Sequence, residues 1–146
     1  MAEIQPIRVL IIDDQPVVRI GIRMIVQGNN TGMVVVGEAA NRDEGLELAS
    51  TVQPDVILLD LNLGDDNGLD LIPELLAIAP RSKVLILTGL HALELHRRAI
   101  RAGAMGVVLK EKEPEILLSA ISTAHAGGVW IHRSLMTSLI KEETGG

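Results

Sequence analysis

Ile7-Arg-Val-Leu-Ile-Ile-Asp13-Asp14 and Asp55-Val-Ile-Leu-Leu-Asp60 share one design, a short aliphatic run that stops on an acid. Apolar runs without polar alternation belong to strands covered on both faces, as in a parallel sheet flanked by helices. Five such runs occur, Ile7–Ile12, Met33–Val36, Asp55–Leu59, Lys83–Leu87 and Gly106–Leu109. The segments between them carry helical spacing. Val18, Ile22 and Ile25 follow Pro16, with Asp14 or Gln15 placed to cap. Asn41-Arg-Asp-Glu44 reads as a capping box opening a helix that buries Leu46 and Ala49, with Leu48 and Val52 alongside. Ile72, Leu75 and Leu76 mark a third helix, closed by Pro80. Leu117, Ala120, Ile121 and Ala124 mark another, between Pro114 and Gly127-Gly128. The helix from His91 to Ala102 is the weakest, its apolar positions diluted by His96, Arg97, Arg98 and Arg101; it is expected to face solvent or a partner. Strand-helix units repeating every 20 to 28 residues or so predict right-handed crossovers. The fold class is therefore α/β, a (βα)5 doubly wound parallel five-stranded sheet. Residues 129–146 fall outside the five units: Val129-Trp130-Ile131 reads as an extra turn, Ser134–Lys141 as a short helix, and Glu142–Gly146 as the start of a linker.

Composition narrows the function. The 146 residues, 47% hydrophobic and 22% charged, suit one globular domain. Runs such as Val9–Ile12 and Val56–Leu59 are four residues long, against about 20 for a bilayer span. Met1-Ala2-Glu3-Ile4-Gln5-Pro6 has neither the basic nor the apolar part of a secretory signal, so a cytoplasmic protein is expected. No cysteine means no disulfide, thiolate chemistry or zinc-thiolate centre. A net charge of −6 argues against nucleic-acid binding by this chain. Trp130 is the sole aromatic among Phe, Tyr and Trp, so no platform for stacking bases or a flavin exists. Neither G-x-x-x-x-G-K-[ST] nor G-x-G-x-x-G occurs.

The residues that follow the strands carry the chemistry. Asp13 and Asp14 follow the first, Asp60 the third, Thr88 the fourth and Lys110 the fifth. In an open parallel sheet the carboxyl ends of the strands share one edge, and ligands bind there. Taken singly, each has a plainer reading: an Asp after a strand is usually a helix cap, a Thr a strand-end hydrogen bonder, a Lys a solvated stem. Converging, three carboxylates repel unless a cation sits among them, and an all-oxygen ligand set suits Mg²⁺. His91, His96, His125 and His132 have no i, i+4 pairing and are expected at the surface. A carboxylate beside Mg²⁺, with an ammonium and a hydroxyl opposite, suits in-line phosphoryl transfer onto that carboxylate. Asp60, on the expected central strand, is the candidate nucleophile, with Asp13 and Asp14 holding the metal.

The blocks Val9–Arg19, Asp55–Asn62, Leu85–Gly89 and Gly103–Lys110 resemble the receiver domain of bacterial two-component response regulators over about residues 7–126. Gln15-Pro-Val-Val-Arg19 and Gly103-Ala104 resemble the NarL/FixJ (LuxR-type) subgroup. The resemblance implies the flavodoxin-like (CheY-like) strand order 2-1-3-4-5 and a phosphorylation-dependent switch rather than an enzyme, one that catalyses only its own phosphorylation and dephosphorylation. By it Asp60 is the phosphoacceptor for a sensor histidine kinase, Asp14 a direct Mg²⁺ ligand, Asp13 an outer one, Asn62 a backbone-carbonyl ligand, and Thr88 and Lys110 readers of the phosphoryl group. It further implies residues 1–128 as the receiver and 129–146 as an extension toward an absent DNA-binding output domain. A homodimer through the fourth or fifth helix is also expected, with Arg97, Arg98 and Arg101 facing acids on a mate as one route and a solvated basic face as the plainer reading. Three positions depart from the pattern. Val107 stands where an aromatic switch residue is usual, Gly64 where proline is common, and Glu111 where a cis proline often follows the lysine.

Other readings fit less well. A phosphohydrolase of the haloacid-dehalogenase kind wants Asp-x-Asp, and Asp60-Leu-Asn62 supplies Asn. A flavodoxin-like electron carrier needs a hydroxyl-rich phosphate loop and aromatic partners. A stand-alone receiver acting by protein binding alone would have no need of the intact set of acids, Thr and Lys.

Overall fold

In the computed structural model, which describes residues 5–143, the elements run β1 (Ile7–Ile12), α1 (Pro16–Val26), β2 (Met33–Ala39), α2 (Arg42–Val52), β3 (Val56–Leu59), β4 (Asn62–Leu63), β5 (Asp66–Asn67), α3 (Gly68–Ile78), β6 (Lys83–Thr88), α4 (Leu93–Arg101), β7 (Gly106–Leu109), α5 (Pro114–His125) and α6 (Arg133–Glu143). Five strands form one parallel sheet in the order β2-β1-β3-β6-β7. With the short β4–β5 hairpin set aside, that is the expected 2-1-3-4-5. The expectations for Met1–Ile4 and for the end of the proposed linker at Thr144–Gly146 lie outside the described residues.

The aliphatic runs build two cores because successive side chains of a strand point to opposite faces. Leu10 and Ile12 join Ile57, Leu59, Val84 and Ile86 beneath α2, α3 and α4. Val9 and Ile11 join Val56, Leu58, Leu85 and Leu87 beneath α1 and α5. Each fully buried Leu or Ile contributes roughly 1.5–3 kcal/mol, so this two-sided burial fixes the register of the central strands.

Local signals set the helix starts. Asn41 accepts from the Glu44 N–H at 3.0 Å, while the Glu44 carboxylate accepts from the Ala40 N–H at 2.8 Å, a reciprocal cap. Pro16 opens α1, yet neither Asp14 nor Gln15 supplies a side-chain cap; the Asp13 carboxylate accepts from the Gln15 N–H at 2.9 Å. In α5, Leu117, Ala120, Ile121 and Ala124 are all buried, as their spacing predicts.

Several details differ from the sequence reading. β2 runs on past Val36 to Ala39. It is an edge strand, and its polar Glu38 persists because Arg19 and Arg23 pair with it. Val129–Ile131 forms no extra turn: Trp130 makes a parallel bridge with Gly106, and its carbonyl accepts from the Val107 N–H at 2.9 Å. α6 begins at Arg133, and its Leu135 is fully buried in the core with α2–α4. α4 has a buried side, and His96, expected at the surface, is 1% exposed. Its ring is satisfied by two hydrogen bonds, which lets a polar side chain occupy an inward position. No cis peptide occurs among the described residues, so Glu111 follows Lys110 through a trans bond.

Candidate phosphoryl-transfer site

The carboxyl ends of β1, β3, β6 and β7 bring the five singled-out residues to one edge. Carboxylate oxygens of Asp13, Asp14 and Asp60 lie within 4.8 Å of one another. The Lys110 ammonium is 2.9 Å from Asp13 Oδ2 and 2.9 Å from Asp60 Oδ2. Both carboxylates are deeply buried, at 2% and 6% exposure, whereas Asp14 stands nearer solvent. The Thr88 carbonyl accepts from the Lys110 N–H at 2.9 Å, so the backbone of β6 positions the lysine's base. Asp14, Asp60, Asn62, Thr88 and Lys110 line one cleft of about 240 Å³.

Electrostatics follows from that packing. Burial pushes the Asp60 carboxyl above its ordinary value, with the Asp13 charge adding to the effect; hydrogen bonds from Lys110 and the Asn62 N–H draw it partly back. Burial works against the Lys110 charge too, but hydrogen bonds to Asp60 and Asp13 outweigh it and hold the ammonium above the usual lysine value. Three carboxylates and one ammonium leave a formal charge of −2. A divalent cation matches that residue of charge, and an all-oxygen donor set with one face open to solvent suits a small hard ion that keeps part of its water shell. The acids therefore fit Mg²⁺.

The loop after Asp60 owes its shape to a hairpin. Asn62–Leu63 pairs antiparallel with Asp66–Asn67, and Gly64 sits at φ +65°, a conformation that glycine adopts without strain. A Cβ at Gly64 would stand 3.6 Å from Asp14 Oδ2. Leu63 is buried and the Asp66 carboxylate accepts from the Arg42 N–H at 3.1 Å, which anchors the loop where proline is commonly found. The Asn62 N–H donates to Asp60 Oδ1 at 3.1 Å.

Sequence reasoning did not place Gln15 or Leu90 at the site, although both line the cleft and Gln15 directly follows the acid pair. Nor did it find the His91–Glu111 pair at 2.8 Å, which joins the β6–α4 and β7–α5 loops beside the cleft. No sequence signal pairs two residues on separate loops. Arg97 contacts Glu94 at 2.7 Å and Ser138 at 3.2 Å within its own chain, while Arg98 and Arg101 are exposed. A second hollow, about 230 Å³ between α1 and α5, has no acid in its lining.

Residues 9–122 match the family described as the response regulator receiver domain. The chain is 36% identical over 135 residues to the nitrate/nitrite response regulator protein NarL of Escherichia coli, covering 92% of this chain and 62% of that one. It thus spans about three fifths of the length of the curated relatives it matches. Among solved structures, a LuxR-family two-component response regulator from Aurantimonas superposes with TM-score 0.85 at 28% identity, over 95% of this chain and 99% of that one. A response regulator from Burkholderia pseudomallei, solved with a phosphorylated aspartic acid, calcium ion and citrate, superposes with TM-score 0.73 at 32% identity, over 82% and 69%.

Proposed function

Because the chain belongs to the response regulator receiver family, in its NarL/LuxR-type branch, we propose that it is a two-component switch whose Asp60 accepts a phosphoryl group from a histidine kinase. The observation that carries the reading is the buried Asp60 carboxylate held at 2.9 Å by Lys110, at the floor of a cleft that Thr88 and Asp14 also line.

An Asp60 carboxylate oxygen attacks the phosphorus in line. The bond to the kinase imidazole nitrogen breaks as the oxygen–phosphorus bond forms, and the imidazole leaves with its electron pair. Lys110 changes partner, from Asp60 to a phosphoryl oxygen, so its charge is in place before transfer. The Thr88 hydroxyl donates to a second phosphoryl oxygen. Asp13, Asp14 and Asp60, with the Asn62 carbonyl, would hold Mg²⁺, which when bound supplies the positive charge that lets a dianionic group approach carboxylates.

Residues 1–128 then form the receiver and 129–146 an extension leading to a DNA-binding output domain, a reading supported by the greater length of the relatives. The remaining parts of the proposal are a cytoplasmic setting and a homodimer through the fourth or fifth helix, with Arg98 and Arg101 exposed on α4. No helix among the described residues is long and apolar enough to cross a membrane.

Intact mass after incubation with Mg²⁺ and acetyl phosphate tests the reading. The expected result is a single phosphoryl adduct, labile to hydroxylamine and absent from Asp60→Asn. No adduct on the parent chain, an adduct that survives Asp60→Asn, or turnover of the donor at enzyme-like rates would overturn it.

A further inference from the structure

Thr88, at the end of β6, is joined to the C-terminal helix by a file of hydrogen bonds that passes through the backbone of Leu90. The Leu90 N–H donates to Thr88 Oγ1 at 3.1 Å. The carbonyl of the same Leu90 lies 2.7 Å from His96 Nε2, His96 Nδ1 lies 3.2 Å from His132 Nε2, and the Leu135 N–H donates to His132 Nδ1 at 3.2 Å. The two rings meet edge-on, with centroids 5.3 Å apart at 78°.

The end groups set the proton positions along this file. Leu90 offers a carbonyl, so His96 Nε2 carries hydrogen; a neutral His96 then presents Nδ1 as an acceptor. His132 Nε2 must donate to it, which leaves His132 Nδ1 free to accept from Leu135. Every link is satisfied only when both rings are neutral, since a proton added to either Nδ1 sets one N–H against another. His132 also precedes Arg133, so its imidazole is the N-cap of α6, where a positive charge opposes the helix dipole. Beyond this cap, Leu135 is the fully buried anchor of α6.

We propose that His96 and His132 form a relay that seats helix α6 against α4 according to the position of the Thr88–Leu90 loop, and that releases α6 when either ring takes a proton. The link to Thr88 rests on the phosphoacceptor reading above: a hydroxyl that turns to a phosphoryl oxygen moves the acceptor of the Leu90 N–H, and the same Leu90 carries the carbonyl that holds His96. The groups around His132 oppose its protonation on balance. Burial, His96, Lys112 and His91 all hold the His132 ring below its ordinary value. Glu113 lines the same hollow as His132, and Glu111 is engaged with His91.

Hydrogen exchange of the 146-residue chain, expressed as protection factors and paired with intact mass, tests this on the parent, on His132→Phe, which keeps a ring without nitrogens, and on His96→Gln. In the parent, protection of the α6 amides should fall about five-fold between pH 8 and pH 5, and on phosphorylation, with β3 unchanged. His132→Phe should show the low protection at both pH values, respond to neither stimulus, and still take up the phosphoryl group; His96→Gln should uncouple α6 from phosphorylation. Equal α6 protection at both pH values, or a His132→Phe profile like the parent's, overturns the relay. Phosphorylation that leaves α6 unchanged overturns its link to Thr88. If no variant is phosphorylated while the pH response holds, the phosphoacceptor reading falls and the relay stands as an acid-sensitive clasp.

Discussion

Replacing Lys110 with Met keeps most of the side chain's length and removes its charge, leaving Asp13 and Asp60 buried without their ammonium. Removing one member of a buried ion pair costs about 3–5 kcal/mol. Lys110 contacts two carboxylates at 2.9 Å but is itself 23% exposed, so solvent relieves part of the loss. A destabilisation of about 2–4 kcal/mol at pH 7 is expected, a large share of the roughly 5–15 kcal/mol available to a domain. The sign with pH follows from the direction of the shifts. Lys110 is held above its ordinary value, so its contribution is fully present at pH 7 and is lost only as pH rises through the lysine range. Asp60 is raised by burial, so it lowers stability as pH climbs from the ordinary carboxylate value through its folded one. Without Lys110 that penalty grows, and acidification should relieve it. Urea denaturation in the presence of a chelator, at pH 7 and pH 5, measures both quantities; the gap between the variant and the parent should narrow at pH 5. A loss below about 0.5 kcal/mol at pH 7, or a gap that widens on acidification, would refute the electrostatic account of the site.

Two further outcomes are expected. Magnesium should raise the thermal midpoint of the parent, by the equivalent of about 2.7 kcal/mol at a hundred times the dissociation constant; Asp14→Asn should lose most of that gain, and an equal gain in both would exclude Asp14 from the cation site. Gly106→Ala places a Cβ 2.4 Å from the Trp130 carbonyl oxygen, so residues 129–131 must leave the sheet edge. A cost of about 1–3 kcal/mol and a red shift of Trp130 emission should accompany it, whereas an unshifted spectrum would show that the segment does not need the glycine.

The histidines show where reading a chain in one dimension fails. The tally of helix α4 against its dilution by His96, Arg97, Arg98 and Arg101 treats His96 as polar and therefore outward. Its burial depends on His132, 36 residues later, and nothing in either local sequence specifies the meeting. The same holds for Trp130, whose neighbour Gly106 owes its lack of a side chain to a backbone approach from outside the five repeating units. The loop at Gly64 departs from the common proline, and its anchoring is a tertiary matter of Leu63, Asp66 and Arg42.

Five aliphatic runs, their spacing and the polar residue closing four of them determined, without coordinates, the parallel sheet, its crossovers and the edge at which Asp13, Asp14, Asp60, Thr88 and Lys110 would gather. Strand burial is a pattern of near neighbours along the chain, and parallel topology sends every strand's carboxyl end the same way, so both are written locally. Only the tertiary structure decided that Lys110 bridges Asp13 and Asp60, that α6 lies against α4, and that His96 turns inward to His132. Each of these joins side chains far apart in sequence, whose pairing exists only once the sheet and helices have brought them within a few ångströms.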